Sequence, residues 1–81
     1  MTTLTLIGRD GCHLCDQARD VVADVLTDFP EVTLREVSID DDDALRAEFW
    51  EQIPVLMVDN KVHNFWRIDP DRLRLKLKEE Q

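Results

Sequence analysis

Two cysteines, Cys12 and Cys15, stand within Gly11-Cys12-His13-Leu14-Cys15 and are the only thiols in the chain. Residues three apart share one face of a helix, so thiols at that spacing can close a short disulfide with tolerable strain. Such a pair can exchange two electrons with a partner disulfide. Placed where a strand-like segment gives way to a helix-like one, it reads as a redox motif. At a helix start, unpaired backbone N–H groups and the positive end of the helix dipole favour a thiolate. Cys12, the nearer to that start, is therefore expected to have its pKa drawn from about 8.5 toward or below neutrality.

Two other uses of these sulfurs are open to the residues alone. One is an inert pair of reduced core cysteines on an interaction domain. The other is metal binding, with two thiolates joined by His13 or His63 in a zinc or iron–sulfur site. Four ligands are usual in such sites, and the chain has no second cysteine pair. His13, between the cysteines, either stabilises a neighbouring thiolate as imidazolium or faces solvent. Arg9 can pair with a substrate carboxylate or favour the thiolate, while Asp10 and Asp16 oppose both effects.

The elements that must hold these residues follow from apolar spacing. Thr3 to Ile7 is β-branched and apolar and suits a strand, broken by Gly8 and Gly11. Leu14, Ala18, Val21, Val22, Val25, Leu26 and Phe29 form a helical stripe, which Pro30 ends. Val32 to Ile39 reads as a second strand. Asp40 to Asp43 reads as the acidic, Asp-capped start of a helix carrying Leu45 and Phe49 inward, and not as a calcium loop, whose ligands are spaced around a glycine. Ile53-Pro54-Val55-Leu56-Met57-Val58 has the continuous apolar character of a central strand, with Pro54 tolerated only at its start. Asp59-Asn60 signals a two-residue hairpin turn, with Val62 to Trp66 returning. Asp69 and Pro70 then open a helix, with Ile68 stapled to Leu73. From Arg72 to Lys78 the apolar residues alternate as in a strand. Good helix formers and the cap in front favour a helix, with Leu75 at the edge of its stripe. The predicted order is β-α-β-α-β-β-α, with the first two strands parallel and the last two antiparallel. Trp50 and Trp66 are expected to be partly buried packing residues, the alternative being exposed aromatics that line a partner groove, and His63 is expected to lie on the strand surface.

The chain as a whole limits the partners. Its 81 residues allow one domain, 1–81, with hydrophobic and charged content (43% and 35%) typical of a globular protein. The net charge of −8 disfavours nucleic acid and anionic membrane surfaces. The first residues lack the basic and apolar regions of a signal peptide, and no segment approaches the length of a membrane span. The expected location is cytoplasmic, where a disulfide is more often catalytic than structural.

Taken together, Cys12-His13-Leu14-Cys15 after the first strand, Ile53-Pro54-Val55 opening the third, and the order of elements resemble the thioredoxin superfamily. The similarity is to a small glutaredoxin-like domain and covers nearly the whole chain. It implies an α/β thioredoxin-like fold, a four-stranded mixed sheet flanked by helices. It also implies a cis Ile53–Pro54 bond, with the proline loop lying against the Cys12/Cys15 motif. Arg9 fills the place of the basic residue that glutaredoxins carry three before the first cysteine. The glycine pair of glutaredoxins after the fourth strand is absent; Phe65-Trp66-Arg67-Ile68-Asp69 stands there. In that region and in the Cys-His-Leu-Cys form, the chain is more similar to an uncharacterised bacterial glutaredoxin-like subfamily.

The implied activity is thiol–disulfide exchange on protein or small mixed disulfides. Cys12 would attack and Cys15 resolve, with Arg9, His13, Ile53 and Pro54 against the substrate. No bound cofactor or metal is expected. A low-molecular-weight thiol such as glutathione is a candidate co-substrate, a reductase the other electron donor, and a monomer the expected state.

Overall fold

The fold is described from a computed structural model covering residues 2–80. Its elements are β1 (Thr3–Gly8), α1 (His13–Leu26), β2 (Thr33–Ser38), α2 (Asp43–Phe49), β3 (Val55–Val58), β4 (Lys61–Phe65) and α3 (Pro70–Glu80). A single 3₁₀ turn, Ile39–Asp41, joins β2 to α2. The order is the one expected, and the Arg72–Lys78 segment, whose alternation imitates a strand, is helix throughout. Asp69 caps α3, its carboxylate accepting from the backbone N–H groups of Asp71 at 2.9 Å and Arg72 at 3.3 Å. With those donors satisfied, Leu73 and Leu77 face the core and Leu75 is left in solvent.

The sheet has the order β2-β1-β3-β4. β1 and β2 run parallel across the α1 crossover, and β3 is antiparallel to both β1 and β4. Each strand sends alternate side chains to opposite faces. Leu4, Leu6, Leu56 and Val58 meet Ala18, Val22 and Val25 of α1 and Leu73 and Leu77 of α3, with Ile68 beside them. Ile7 and Val55 point the other way and pack with Ile39 and Phe49. A sheet covered on both faces accounts for the apolar run of β3.

The β3–β4 turn is Asp59-Asn60, with Val58 opposite Lys61. Both turn residues have positive φ, 49° and 72°, as a primed two-residue turn requires. The ladder then slips between Leu56 and Met57, leaving His63 as the extra residue of a β-bulge. His63 is thus not a plain surface residue: its Nε2 is buried with no hydrogen-bond partner among the described residues. Burial, with Arg72 and Lys76 nearby, lowers its pKa.

Several boundaries differ from expectation: β3 opens at Val55 and not at Ile53, and β4 spans Lys61–Phe65 and not Val62 to Trp66. α1 ends at Leu26, and Phe29 reaches the core from the turn that follows, its N–H bonded to the Leu26 carbonyl at 3.1 Å. Ile39 leaves β2 for the 3₁₀ turn, and Asp42, not the whole Asp run, caps α2 through the N–H groups of Ala44 and Leu45. No helix among the described residues is long and apolar enough to cross a membrane.

Candidate active site

Cys12 is the N-cap of α1, in extended conformation, and its sulfur accepts the Cys15 backbone N–H at 3.2 Å. A thiol has taken the place of the usual Ser, Thr or Asp, so one of the orphan donors at the helix start is directed at sulfur. Gly11, with φ at 78°, makes the turn that delivers the chain into this cap. One helical turn on, Cys15 is 2% exposed, whereas Cys12 remains partly accessible; both are free thiols. The two sulfurs are therefore adjacent but unequal. Burial, with the Cys12 sulfur bonded beside it, pushes the Cys15 thiol up to about 11, although the Arg9 backbone N–H acts in the opposite direction.

Cys15 fits because Gly8 lacks a side chain. A β-carbon at position 8 would lie 2.9 Å from the Cys15 sulfur and 3.2 Å from its Cβ. The Gly8 requirement was not foreseen from the sequence, where it served only as a strand breaker; no local signal reports a contact seven residues away across a strand–helix junction.

Ile53 and Pro54 reach the same corner through the sheet. The antiparallel β1–β3 ladder ends with Ile7 opposite Val55, and Gly8 and Pro54 are the residues that adjoin that last pair in the two chain segments. The Ile53–Pro54 bond is cis. Pro54 is fully buried and Ile53 partly so, packing beside Ile7, Phe49 and Val55. Pro54 therefore shapes the wall of the corner, and its carbonyl is already taken by the Trp66 N–H at 2.8 Å.

Arg9 and His13 are exposed. The Arg9 guanidinium is bonded to Asp40 at 3.3 Å, and the same carboxylate has Arg46 at 3.8 Å. His13 opens α1 and has no hydrogen bond or ion pair among the described residues. Asp16, which flanks the motif, is held by Arg19 at 3.1 Å, and Arg19 also bonds Glu36. No three His, Cys, Asp or Glu side chains come together as a metal-holding group among the described residues.

Trp50 and Trp66 differ from the expectation of partial burial. They are 60% and 52% exposed. Trp66 is held in place nonetheless: its φ is 66°, its indole N–H bonds the Glu51 carbonyl at 3.0 Å, and its ring meets Phe65 edge-on with centroids 4.9 Å apart. Positive φ is rare for a bulky residue; here backbone bond and indole bond hold it from two sides.

The glutaredoxin-like domain (DUF836) family matches residues 3–78. This chain belongs to that family. An uncharacterized protein of Mycobacterium tuberculosis is 33% identical over 76 residues, covering 85% of this chain and 75% of its own. A structural-genomics target protein from X. campestris is 38% identical, with a TM-score of 0.76 over 94% of this chain and 96% of that one. Mitochondrial thioredoxin 3 of Saccharomyces cerevisiae shares the fold at 14% identity and a TM-score of 0.69, over 96% of this chain and 77% of that one. The glutaredoxin-like chain thus has the α/β thioredoxin fold, with Cys12 and Cys15 adjacent at the start of α1.

Proposed function

We propose that this glutaredoxin-like chain is a thiol–disulfide oxidoreductase that reduces disulfides through Cys12 and Cys15. The observation that carries the reading is the inequality of the two sulfurs, one at the helix N-cap and accessible, the other buried one turn behind it. A nucleophile must reach its substrate, and a resolving thiol must stay protonated and out of reach until the mixed disulfide forms.

In the first step the Cys12 thiolate attacks a substrate sulfur. A Cys12–substrate disulfide forms, the substrate S–S bond breaks, and the departing sulfur takes a proton. In the second step Cys15 gives up its proton and attacks the Cys12 sulfur. The Cys12–Cys15 bond closes, the second substrate sulfur leaves as a thiol, and two electrons have passed from protein to substrate. Two molecules of a low-molecular-weight thiol such as glutathione, leaving as their own disulfide, or a dithiol reductase that is itself oxidised, return two electrons and complete the cycle. Gly8 lets Cys15 stand close enough for the second step, and Pro54 closes the corner behind the pair. The proposed setting is the cytoplasm.

Replacement of single thiols tests the assignment. Cys15→Ser is expected to accumulate mixed disulfides through Cys12, identified by mass, and Cys12→Ser to accumulate none. Trapping through Cys15 alone would overturn the roles, and absence of trapping in both would overturn the activity.

A further inference from the structure

The surface around the dithiol has a composition that bears on what can dock there. Arg9 lines the cavity of about 350 Å³ into which Cys15 faces, and it also lines a neighbouring hollow of about 430 Å³. Ile39, Ala47 and Trp50 supply apolar walls of that second hollow, with Arg46 and Asp43 at its mouth. Arg9 is thus the side chain that the hollow shares with the Cys15 cavity. The exposed Trp66 ring is tied to the carbonyl of Glu51, the residue that follows Trp50, so a second exposed aromatic side chain is anchored at the end of α2. Aromatic side chains held with a face in water are favourable contact points for a partner, because they bury a large area at small cost in side-chain freedom.

The charge here is strongly one-signed. Residues 1–60 hold fourteen acidic against four basic residues, while 61–81 hold four acidic against six basic. The two arginines of the hollow are not free to attract anions, since Arg9 pairs with Asp40, and Arg46 with Asp40 and Asp43. Asp10, Asp41, Glu48 and Glu51 add exposed carboxylates nearby on the same loops and helix. The hollow beside the Cys15 cavity therefore offers apolar aromatic surface where exposed carboxylates outnumber exposed cations, Arg67 beside Trp66 included.

We propose that the Arg9–Trp50 hollow, together with the Trp66 ring, is the docking surface for a disulfide-bearing polypeptide whose residues next to the cystine are apolar and basic. The inference rests on the dithiol reading above and narrows its substrate from disulfides at large to cationic polypeptide ones. Small anionic disulfides gain nothing from the aromatic surface and are repelled by the field.

The test is stopped-flow exchange between the reduced protein and three probes. These are a disulfide-linked peptide with Leu and Lys beside the cysteine, the same peptide with Glu in place of Lys, and uncharged 2-hydroxyethyl disulfide. At low salt the Lys peptide is expected to react at least about tenfold faster than the Glu peptide, with the gap shrinking as salt is raised. Trp50→Ala is expected to raise the half-saturating concentration of the Lys peptide about fivefold, with the limiting rate unchanged, as for loss of an aromatic contact of about 1 kcal/mol. The uncharged probe should not distinguish Trp50→Ala from the parent. Equal rates for the two peptides at low salt, or an unaltered half-saturation in Trp50→Ala, would overturn the docking surface while leaving the dithiol activity intact. Failure of all three probes to oxidise Cys12 would remove the activity itself, and this inference with it.

Discussion

Replacing Gly8 by alanine is the most direct probe of how the fold makes room for the buried thiol. The new methyl would lie 2.9 Å from the Cys15 sulfur and 3.2 Å from its Cβ. Ordinary carbon contacts sit at about 3.5–4.0 Å, so the strand and the first turn of α1 must separate by several tenths of an ångström. Neither neighbour yields easily. Gly8 is held in the sheet by its pairing with Ser38 of β2, and Cys15 has a short side chain fixed to a helix. Overpacking of this kind costs about 1–3 kcal/mol, which in a domain of this size lowers the melting temperature by about 4–8 °C per kcal/mol. Urea denaturation of the reduced protein measures it as a fall in midpoint at constant slope. A double-mutant cycle with Cys15→Ala separates the sulfur contact from the rest: without the sulfur, Gly8→Ala should cost less than half as much. A Gly8→Ala protein as stable as the parent, or a cost identical in both backgrounds, would refute the claim that Gly8 is there for Cys15.

Two further outcomes can be measured on the same material. The Cys15 thiol, pushed up to about 11 in the fold from an ordinary value of 9.0, holds a proton that the unfolded chain releases earlier. The reduced protein should therefore keep its full contribution from this group below pH 9 and lose it progressively as pH rises toward 11, whereas Cys15→Ala should lack that slope in urea titrations. Asp69→Ala removes both bonds that cap α3, and should cost about 1 kcal/mol, with Asp69→Asn retaining most of it; a full loss in the Asn variant would locate the effect in charge and not in capping.

Much of the fold was legible because the signals were local. Asp59-Asn60 demanded a tight turn, Asp69-Pro70 a helix start, and the stripe from Leu14 to Val25 a helix, each from residues within a few positions of one another. The Arg72–Lys78 segment shows where one local signal misleads: its alternation imitates a strand, and capping with packing of Leu73 and Leu77 decides for helix. His63 shows the opposite limit, since a bulge arises from the register between two strands and leaves no mark in either strand alone. The degree of exposure of Trp50 and Trp66 was equally hidden, because an aromatic residue looks the same in sequence whether its ring is covered or, as for Trp66, held open by a bond to a neighbouring loop.

What the sequence by itself determined is the chemistry on offer: two thiols at helical spacing, at the junction of a strand and a helix, on an acidic chain of βα order. Only the tertiary structure decided how that chemistry is divided. It set Cys15 against the bare backbone of Gly8 and left Cys12 partly accessible, paired Val55 with Ile7 in the β1–β3 ladder, and linked Arg9 to Asp40 across 31 residues. Spacing along a chain fixes which face of a helix a side chain shares, but burial depends on what other elements cover that face, and those lie far off in sequence.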